Sequence, residues 1–214
     1  MLGLMQDHPL LISTIFEHSI KNYSNQEVVS NTVEGGIHRY TYFDWGKRTK
    51  KLANAFKSLD LKQSDRVGTL AWNGYRHLEI YYATSSSGLV CHTINPRLHP
   101  DQVSYIVNHA QDKSLCVDLN ILPLVEKASE NFKTVKAIII MTDNKNMAQS
   151  KIKNEIKVIC YEDFIKDHSD QFEWPQLDEK TASSLCYTSG TTGNPKGVLY
   201  SHRSTVLHAY GCLL

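Results

Sequence analysis

The sequence predicts an α/β protein in which a mostly parallel sheet is covered by helices on both faces. Short apolar runs alternate with longer segments whose apolar residues recur at helical spacing, and this alternation is typical of βαβ units. Hydrophobic residues make up 41% of the 214 residues and charged residues 21%, which suits one sizeable core or two small lobes. We place a subdomain junction near residue 175, so that 1–174 form a first subdomain and 175–214 begin a second.

The first predicted element is an amphipathic helix over residues 41–58. Trp45, Leu52 and Phe56 recur at helical spacing, and Thr41 and Asp44 supply capping groups at its start. The elements that follow are strand 66–72, helix 75–87, strand 89–94, helix 100–110, strand 114–117, helix 122–131, strand 137–141 and strand 156–161.

Two polar segments and a last helix complete the predicted pattern. Residues 142–155 are rich in Asn, Asp and Lys, so we expect them on the surface. A second excursion, 167–181, contains Pro175 and several acids and precedes another strand. Ser201 is a helix-capping residue type, and a helix is predicted over 201–214.

Composition limits the class of partner. The 23 basic and 22 acidic residues leave a formal charge of +1, which gives no electrostatic reason to expect nucleic acid or an anionic membrane. Residues 1–17 lack a basic start and are interrupted by Asp7 and Pro9, so we expect neither a signal peptide nor a membrane span. A cytoplasmic enzyme is the expectation, while peripheral membrane contact and a homodimer stay open.

The cysteines are widely spaced and include no Cys-x-x-Cys pair that would indicate a zinc site or a redox dithiol. We therefore expect five buried, reduced thiols, at Cys91, Cys116, Cys160, Cys186 and Cys212.

The most informative segment is 187–198, which reads Tyr-Thr-Ser-Gly-Thr-Thr-Gly-Asn-Pro-Lys-Gly-Val. Its glycines let backbone N–H groups approach an anion, its hydroxyls add donors, and Lys196 adds a mobile positive charge. A Walker A pattern is absent because Lys196 is followed by a glycine. The predicted ligand is a nucleoside triphosphate. The alternative is a solvent-exposed hairpin loop made of ordinary turn residues, which the apolar flanks of the segment disfavour.

This segment resembles the phosphate-loop signature of the AMP-forming adenylate synthetases, which include acyl-CoA synthetases, peptide-synthetase adenylation domains and luciferases. Five upstream segments are similar to the medium- and long-chain fatty acyl-CoA ligase branch, so that the resemblance covers the chain from about residue 28: 38–42, 65–67, 71–73, 76–79 and 92–98. The reaction this implies joins a fatty acid to coenzyme A through an acyl-adenylate, with release of pyrophosphate and AMP.

The resemblance also implies roles for individual residues and small molecules. ATP, Mg²⁺ and coenzyme A are the implied cofactors and substrates, together with the fatty acid. Thr191 is the residue expected to contact the metal. The residues implied to hold the β- and γ-phosphates of ATP are Thr188, Ser189, Gly190, Thr191, Thr192, Gly193 and Lys196.

Two residues after the loop have alternative interpretations. His202 follows it closely enough to lie near the acyl or nucleotide pocket, which makes it the one candidate catalytic residue. An equally weighted alternative is a histidine of the first helical turn, paired with backbone or solvent. For Arg203 we favour a surface or structural ion pair over a phosphate contact.

Other polar residues have mainly structural interpretations. The segment from His92 to Arg97 follows a strand, and a turn is favoured there over a substrate channel. Residues 72–73 and 76–79 are expected to pack between lobes or between subunits. His99 and His109 have no metal-like partners at suitable spacing.

The resemblance implies further chain after the loop, with an adenine pocket, a magnesium-binding acid, a hinge and a small domain carrying the catalytic lysine. We therefore expect an N-terminal part of such an enzyme that is inactive on its own. Two alternatives stay open. One is a non-catalytic binding or assembly module that retains the loop, and the other is an adenylating domain that charges an amino or aryl acid onto a carrier protein.

Overall fold

The computed structural model describes residues 1, 3–147, 149–152, 156–188 and 194–213. The described helices are α1 (Ile12–Asn22), α2 (Tyr42–Lys57), α3 (Tyr75–Ser86), α4 (Pro100–Ala110), α5 (Leu122–Ser129), α6 (Tyr161–Lys166) and α7 (His202–Gly211). The described strands are β1 (Glu27–Asn31), β2 (Ile37–Thr41), β3 (Arg66–Leu70), β4 (Val90–Thr93), β5 (Ser114–Val117), β6 (Ala137–Ile140), β7 (Lys157–Cys160), β8 (Ala182–Thr188) and β9 (Lys196–Ser201).

The main sheet has the strand order β7-β6-β5-β3-β4-β8-β9. Strands β3 to β8 pair in parallel, whereas β9 pairs antiparallel with β8 at one edge. Strands β4 and β5 lie on opposite sides of β3, and α/β sheets bind ligands beyond the carboxyl ends of their strands, where the order reverses. The predicted α/β class with a parallel-rich sheet is confirmed.

Helices cover both faces of this sheet. On one face Phe56 of α2 and Ile80 of α3 pack against Ile139 of β6 in one buried cluster. On the other, Ile106 of α4 and Val125 of α5 belong to a second cluster. Each such side chain contributes about 1.5–3 kcal/mol when fully buried, and the central strands β5 and β6, which are buried on both faces, are mostly apolar.

The predicted helix starts are confirmed at α2 and α7. The Thr41 hydroxyl accepts from the backbone N–H of Asp44, and the Asp44 carboxylate accepts from the N–H of Thr41, which is a capping box. At α7 the Ser201 hydroxyl accepts from the N–H of Ser204. These side chains satisfy N–H groups that have no partner within the helix.

Three elements near the N-terminus, α1, β1 and β2, were not predicted. Helix α1 buries Phe16 against Trp45 and Trp174, with ring centroids 4.7 and 5.4 Å apart. Strands β1 and β2 form an antiparallel hairpin, whose turn has Gly35 and Gly36 at φ of +96° and +94°. That left-handed backbone favours glycine.

Two sequence-based expectations need correction. Segment 167–181 contains no helix or strand, but it is not only a surface excursion, because Trp174 packs in the aromatic cluster and Leu177 is buried. The thiols are all free, yet Cys186, on β8 next to the edge strand, is half-buried, and Cys212, just after α7, is exposed. No helix among the described residues is long and apolar enough to cross a membrane. The subdomain junction near residue 175 stays a prediction.

Candidate functional site

The candidate site is the hairpin formed by β8 and β9. Thr188 pairs with Lys196 across it, and Tyr187 pairs with Gly197. Thr188 and Lys196 are both exposed, so a hydroxyl and an ammonium flank the connecting loop. The rest of the predicted phosphate-binding set, including the proposed magnesium contact of Thr191, lies outside the described residues: Ser189, Gly190, Thr191, Thr192 and Gly193.

The hairpin stands at the carboxyl edge of the parallel sheet. Strand β8 runs parallel to β4, with Cys186 beside Thr93, and the Cys186 Sγ lies 3.2 Å from the Thr93 Oγ1. The loop after Thr188 therefore leaves the sheet where open α/β sheets form their binding crevices.

Gly197 lies in a closely packed part of the hairpin. A Cβ atom at this position would lie 3.1 Å from the Leu185 Cδ1 and 3.1 Å from the Tyr187 Cζ. The glycine of the Pro-Lys-Gly motif thus lets the Tyr187 ring lie over β9, one residue away from Lys196.

His202 is fully buried at the start of α7. Its Nδ1 accepts from the backbone N–H of Ile12 at 3.3 Å, which ties α7 to the first residue of α1. Burial lowers the pKa of His202 to about 4, so the ring is neutral at physiological pH. This arrangement fits the structural alternative better than the catalytic one.

Arg203 makes the ion pair that its sequence context favours. Its Nη1 lies 2.5 Å from the Glu179 Oε1, and the second oxygen of Glu179 accepts from the N–H of Leu10 at 2.9 Å. The predicted structural ion pair is confirmed.

Arg76 and Glu79 belong to an internal ion network, not to a surface between lobes or subunits. Glu79 is fully buried and accepts from the Arg48 Nε at 2.8 Å and from the Tyr161 hydroxyl at 2.6 Å. The Arg76 Nε donates to Glu162 at 2.8 Å, and Glu162 also accepts from Arg48. For Arg76, His77 and Glu79 the expectation of packing between lobes or subunits was wrong, because these side chains are buried within the chain; for Trp72 and Asn73, which are exposed, it stays a prediction.

The same network reaches the β1–β2 turn. The Arg76 Nη1 donates to the Glu34 Oε1 at 2.7 Å, and the Thr142 hydroxyl donates to the same oxygen at 2.9 Å. Glu34 is thereby bonded both to α3 and to the segment that follows β6.

A second polar group, the Asp118 carboxylate, lies at the carboxyl ends of β3 and β5. The Asp118 Oδ2 accepts from the N–H of Trp72 at 2.6 Å, and burial raises the pKa of Asp118 to about 6. Nearby, the predicted turn is confirmed, because the Asn95 Oδ1 accepts from the N–H of Arg97 at 3.0 Å. Among the described residues no group of three or more His, Cys, Asp or Glu side chains could hold a metal ion.

A parallel sheet with a glycine-, hydroxyl- and lysine-containing loop at its carboxyl edge is an arrangement that suits a nucleotide-binding α/β protein. The chain belongs to the family of AMP-binding enzymes, whose sequence pattern it matches over residues 16–213.

Curated relatives support this membership. The chain is 48% identical over 210 residues to the 3-methylmercaptopropionyl-CoA ligase of Ruegeria lacuscaerulensis, a match that covers 98% of this chain and 38% of the relative. It is 47% identical over 209 residues to the medium-chain-fatty-acid–CoA ligase of Ectopseudomonas oleovorans, with the same two coverages. The chain thus spans about 38% of the length of these relatives.

A solved structure supports the fold. An anthranilate CoA ligase in complex with anthranoyl-AMP superimposes with a TM-score of 0.79 at 23% identity, covering 93% of this chain and 37% of that one. At this identity the likeness bears on the fold alone.

Proposed function

We propose that this chain forms the phosphate-binding part of an ATP-dependent ligase that joins a medium- or long-chain fatty acid, or a related carboxylic acid, to coenzyme A. The observation that carries the proposal is the pairing of Thr188 with Lys196 at the mouth of a hairpin on the carboxyl edge of the sheet. The names of the curated relatives agree with it, since both are CoA ligases. We propose the cytoplasm as the location.

The proposed reaction has two steps. A carboxylate oxygen attacks the α-phosphorus of ATP and pyrophosphate leaves, giving an acyl-adenylate. The thiol sulfur of coenzyme A then attacks the acyl carbon, and AMP leaves. Because the first step brings an anion to a polyanion, its barrier is dominated by charge, and positioned cations and N–H or O–H donors are the principal need.

The residues of the loop meet this need in the proposal. The Lys196 ammonium pairs with the phosphate oxygens and can move with them during the reaction. The Thr188 hydroxyl donates a hydrogen bond to the phosphates from the opposite strand. Ser189 to Gly193 supply further donors to the β- and γ-phosphates. Bound Mg²⁺ would neutralise phosphate charge, and a hydroxyl oxygen such as that of Thr191 is a ligand type that this ion accepts.

The experiment is a calorimetric titration of the chain with ATP in the presence of Mg²⁺. We expect measurable binding by the unmodified chain and a roughly 10-fold or greater loss for Lys196→Ala, since a charge-assisted hydrogen bond is removed. Lys133→Ala is the matched control, because Lys133 is an exposed lysine that precedes β6 and so lies toward the opposite edge of the sheet. Equal affinities for both variants would overturn the proposal.

A further inference from the structure

A buried polar pair lies beneath the candidate site and takes no part in the proposed chemistry. His92 on β4 and Asp112 after α4 are both fully buried, and the His92 Nδ1 lies 2.9 Å from each Asp112 oxygen. Burial raises the pKa of Asp112, while its hydrogen bond to His92 acts in the opposite direction.

The sheet is shaped to accept this pair. A Cβ atom on Gly68 of β3 would lie 3.0 Å from the Asp112 Oδ2 and 2.4 Å from the Leu115 Cδ2. Because residue 68 has no side chain, the Asp112 carboxylate has space beside β3. The His92–Asp112 pair is therefore closely packed against this face of the sheet.

Tyr187 lies over the pair and is held from three sides. Its ring centroid is 5.2 Å from that of His92, and its hydroxyl is 2.6 Å from the Nδ1 of His109 on α4. The His109 ring in turn stacks on Tyr105 at 5.5 Å. On the side of β9, the ring lies against the backbone at Gly197.

We propose that Tyr187 is a positioning residue for the phosphate loop, held against β4 by the His92–Asp112 pair and tethered to α4 by His109. The inference rests on the proposed function and adds to it. Tyr187 precedes Thr188 in the chain, and its partner Gly197 follows Lys196. Fixing this pair of residues fixes the two residues that flank the loop, and a loop held in its binding geometry loses less entropy when it captures a ligand.

The decisive variant is Tyr187→Phe, which keeps the ring and removes the hydroxyl bonded to His109. We expect amide hydrogen exchange to rise roughly 3- to 10-fold at residues 186–188 and 196–198, with exchange in β3 and β5 unchanged. ATP affinity should fall by a similar factor. Tyr105→Phe is the matched control, since it alters a tyrosine of the same cluster and preserves the ring that stacks on His109; exchange and affinity should not change.

A double-mutant cycle separates positioning from general packing. His109→Ala removes the same hydrogen bond together with the ring that stacks on Tyr105, so its effect should be at least as large as that of Tyr187→Phe, and the double variant should show little loss beyond that of His109→Ala. Additive effects, or a rise in exchange spread over the whole sheet, would overturn the proposal, as would faster hairpin exchange without loss of ATP affinity.

The outcomes also separate this inference from the proposed function. If the unmodified chain binds ATP and Tyr187→Phe matches it in both measurements, the positioning role is refuted and the proposed function stands. If the unmodified chain does not bind ATP, both proposals fail.

Discussion

Lys196 lies directly opposite Thr188 across the β8–β9 hairpin. The two residues carry different kinds of donor, an ammonium and a hydroxyl, and both are exposed. A ligand in the connecting loop would therefore meet a donor from each strand, and only one of the two is charged.

The type of cation at residue 196 should matter as well as its charge. Lys196→Arg keeps the positive charge but replaces a compact ammonium by a planar guanidinium of fixed geometry. We expect an ATP affinity between those of the unmodified chain and Lys196→Ala, measured by the same titration. An affinity as low as that of Lys196→Ala would mean that geometry outweighs charge at this position.

Gly197→Ala should destabilise the hairpin. The added methyl group would lie 3.1 Å from both Leu185 and Tyr187, and overpacking of this kind costs about 1–3 kcal/mol. The free energy of unfolding in urea measures it. Gly211→Ala is the control, since a Cβ atom there has no neighbour within 4 Å and alanine favours the helix; it should be neutral or stabilising.

Glu79→Gln should cost more than a matched change at the surface. It removes the carboxylate that lies 2.8 Å from Arg48, while Arg48 keeps its two hydrogen bonds to Glu162, and the loss of a hydrogen bond between charged groups costs about 1.5–3 kcal/mol. Glu27→Gln removes an exposed partner of Arg39 and should cost no more than about 1 kcal/mol. Urea unfolding of both variants tests the contrast, and similar values would contradict the assigned burial of Glu79.

The stability of the chain should depend on His202 in mildly acidic solution. The pKa is about 4 in the folded chain and about 6.5 when unfolded. Between these values the unfolded state binds more protons, so the free energy of unfolding falls as the pH falls. From pH 7 to pH 5 this histidine should remove about 2 kcal/mol.

His202→Asn tests that pH dependence, because the amide oxygen can accept from the N–H of Ile12 but does not titrate. Its stability curve should lack the 2 kcal/mol decline attributed to His202, measured by urea unfolding at several pH values. Identical slopes in the two proteins would show that His202 is not buried in its neutral form.

Regular elements were predicted well where the signal is local. The bounds of α4 and of β5 agree with the prediction to the residue, since Pro100 marks a helix start and β5 is a short apolar run. The β8–β9 hairpin was only the alternative interpretation of segment 187–198, since its apolar flanks were expected to disfavour a hairpin, yet these flanks pair with each other as strands.

The ion network could not be predicted in this way. Arg48 and Glu162 are separated by 114 positions in the sequence, and no periodicity links them. Helix α1 was not predicted for a related reason. The role of Phe16 depends on its packing against Trp45 and Trp174, which lie far from it in the sequence. The His92–Asp112 pair likewise depends on Gly68, which lies on a different strand.

The carboxylate of Glu34 closes the tip of the N-terminal hairpin onto Arg76 and Thr142. A two-stranded ribbon is marginal in isolation, so β1 and β2 depend on this contact and on the packing of Tyr40 beside Tyr75. We therefore expect the rate of protease cleavage within residues 31–37 to rise with temperature in parallel with unfolding of the whole chain. Cleavage of the hairpin would then report whether the helices against which it packs are still folded.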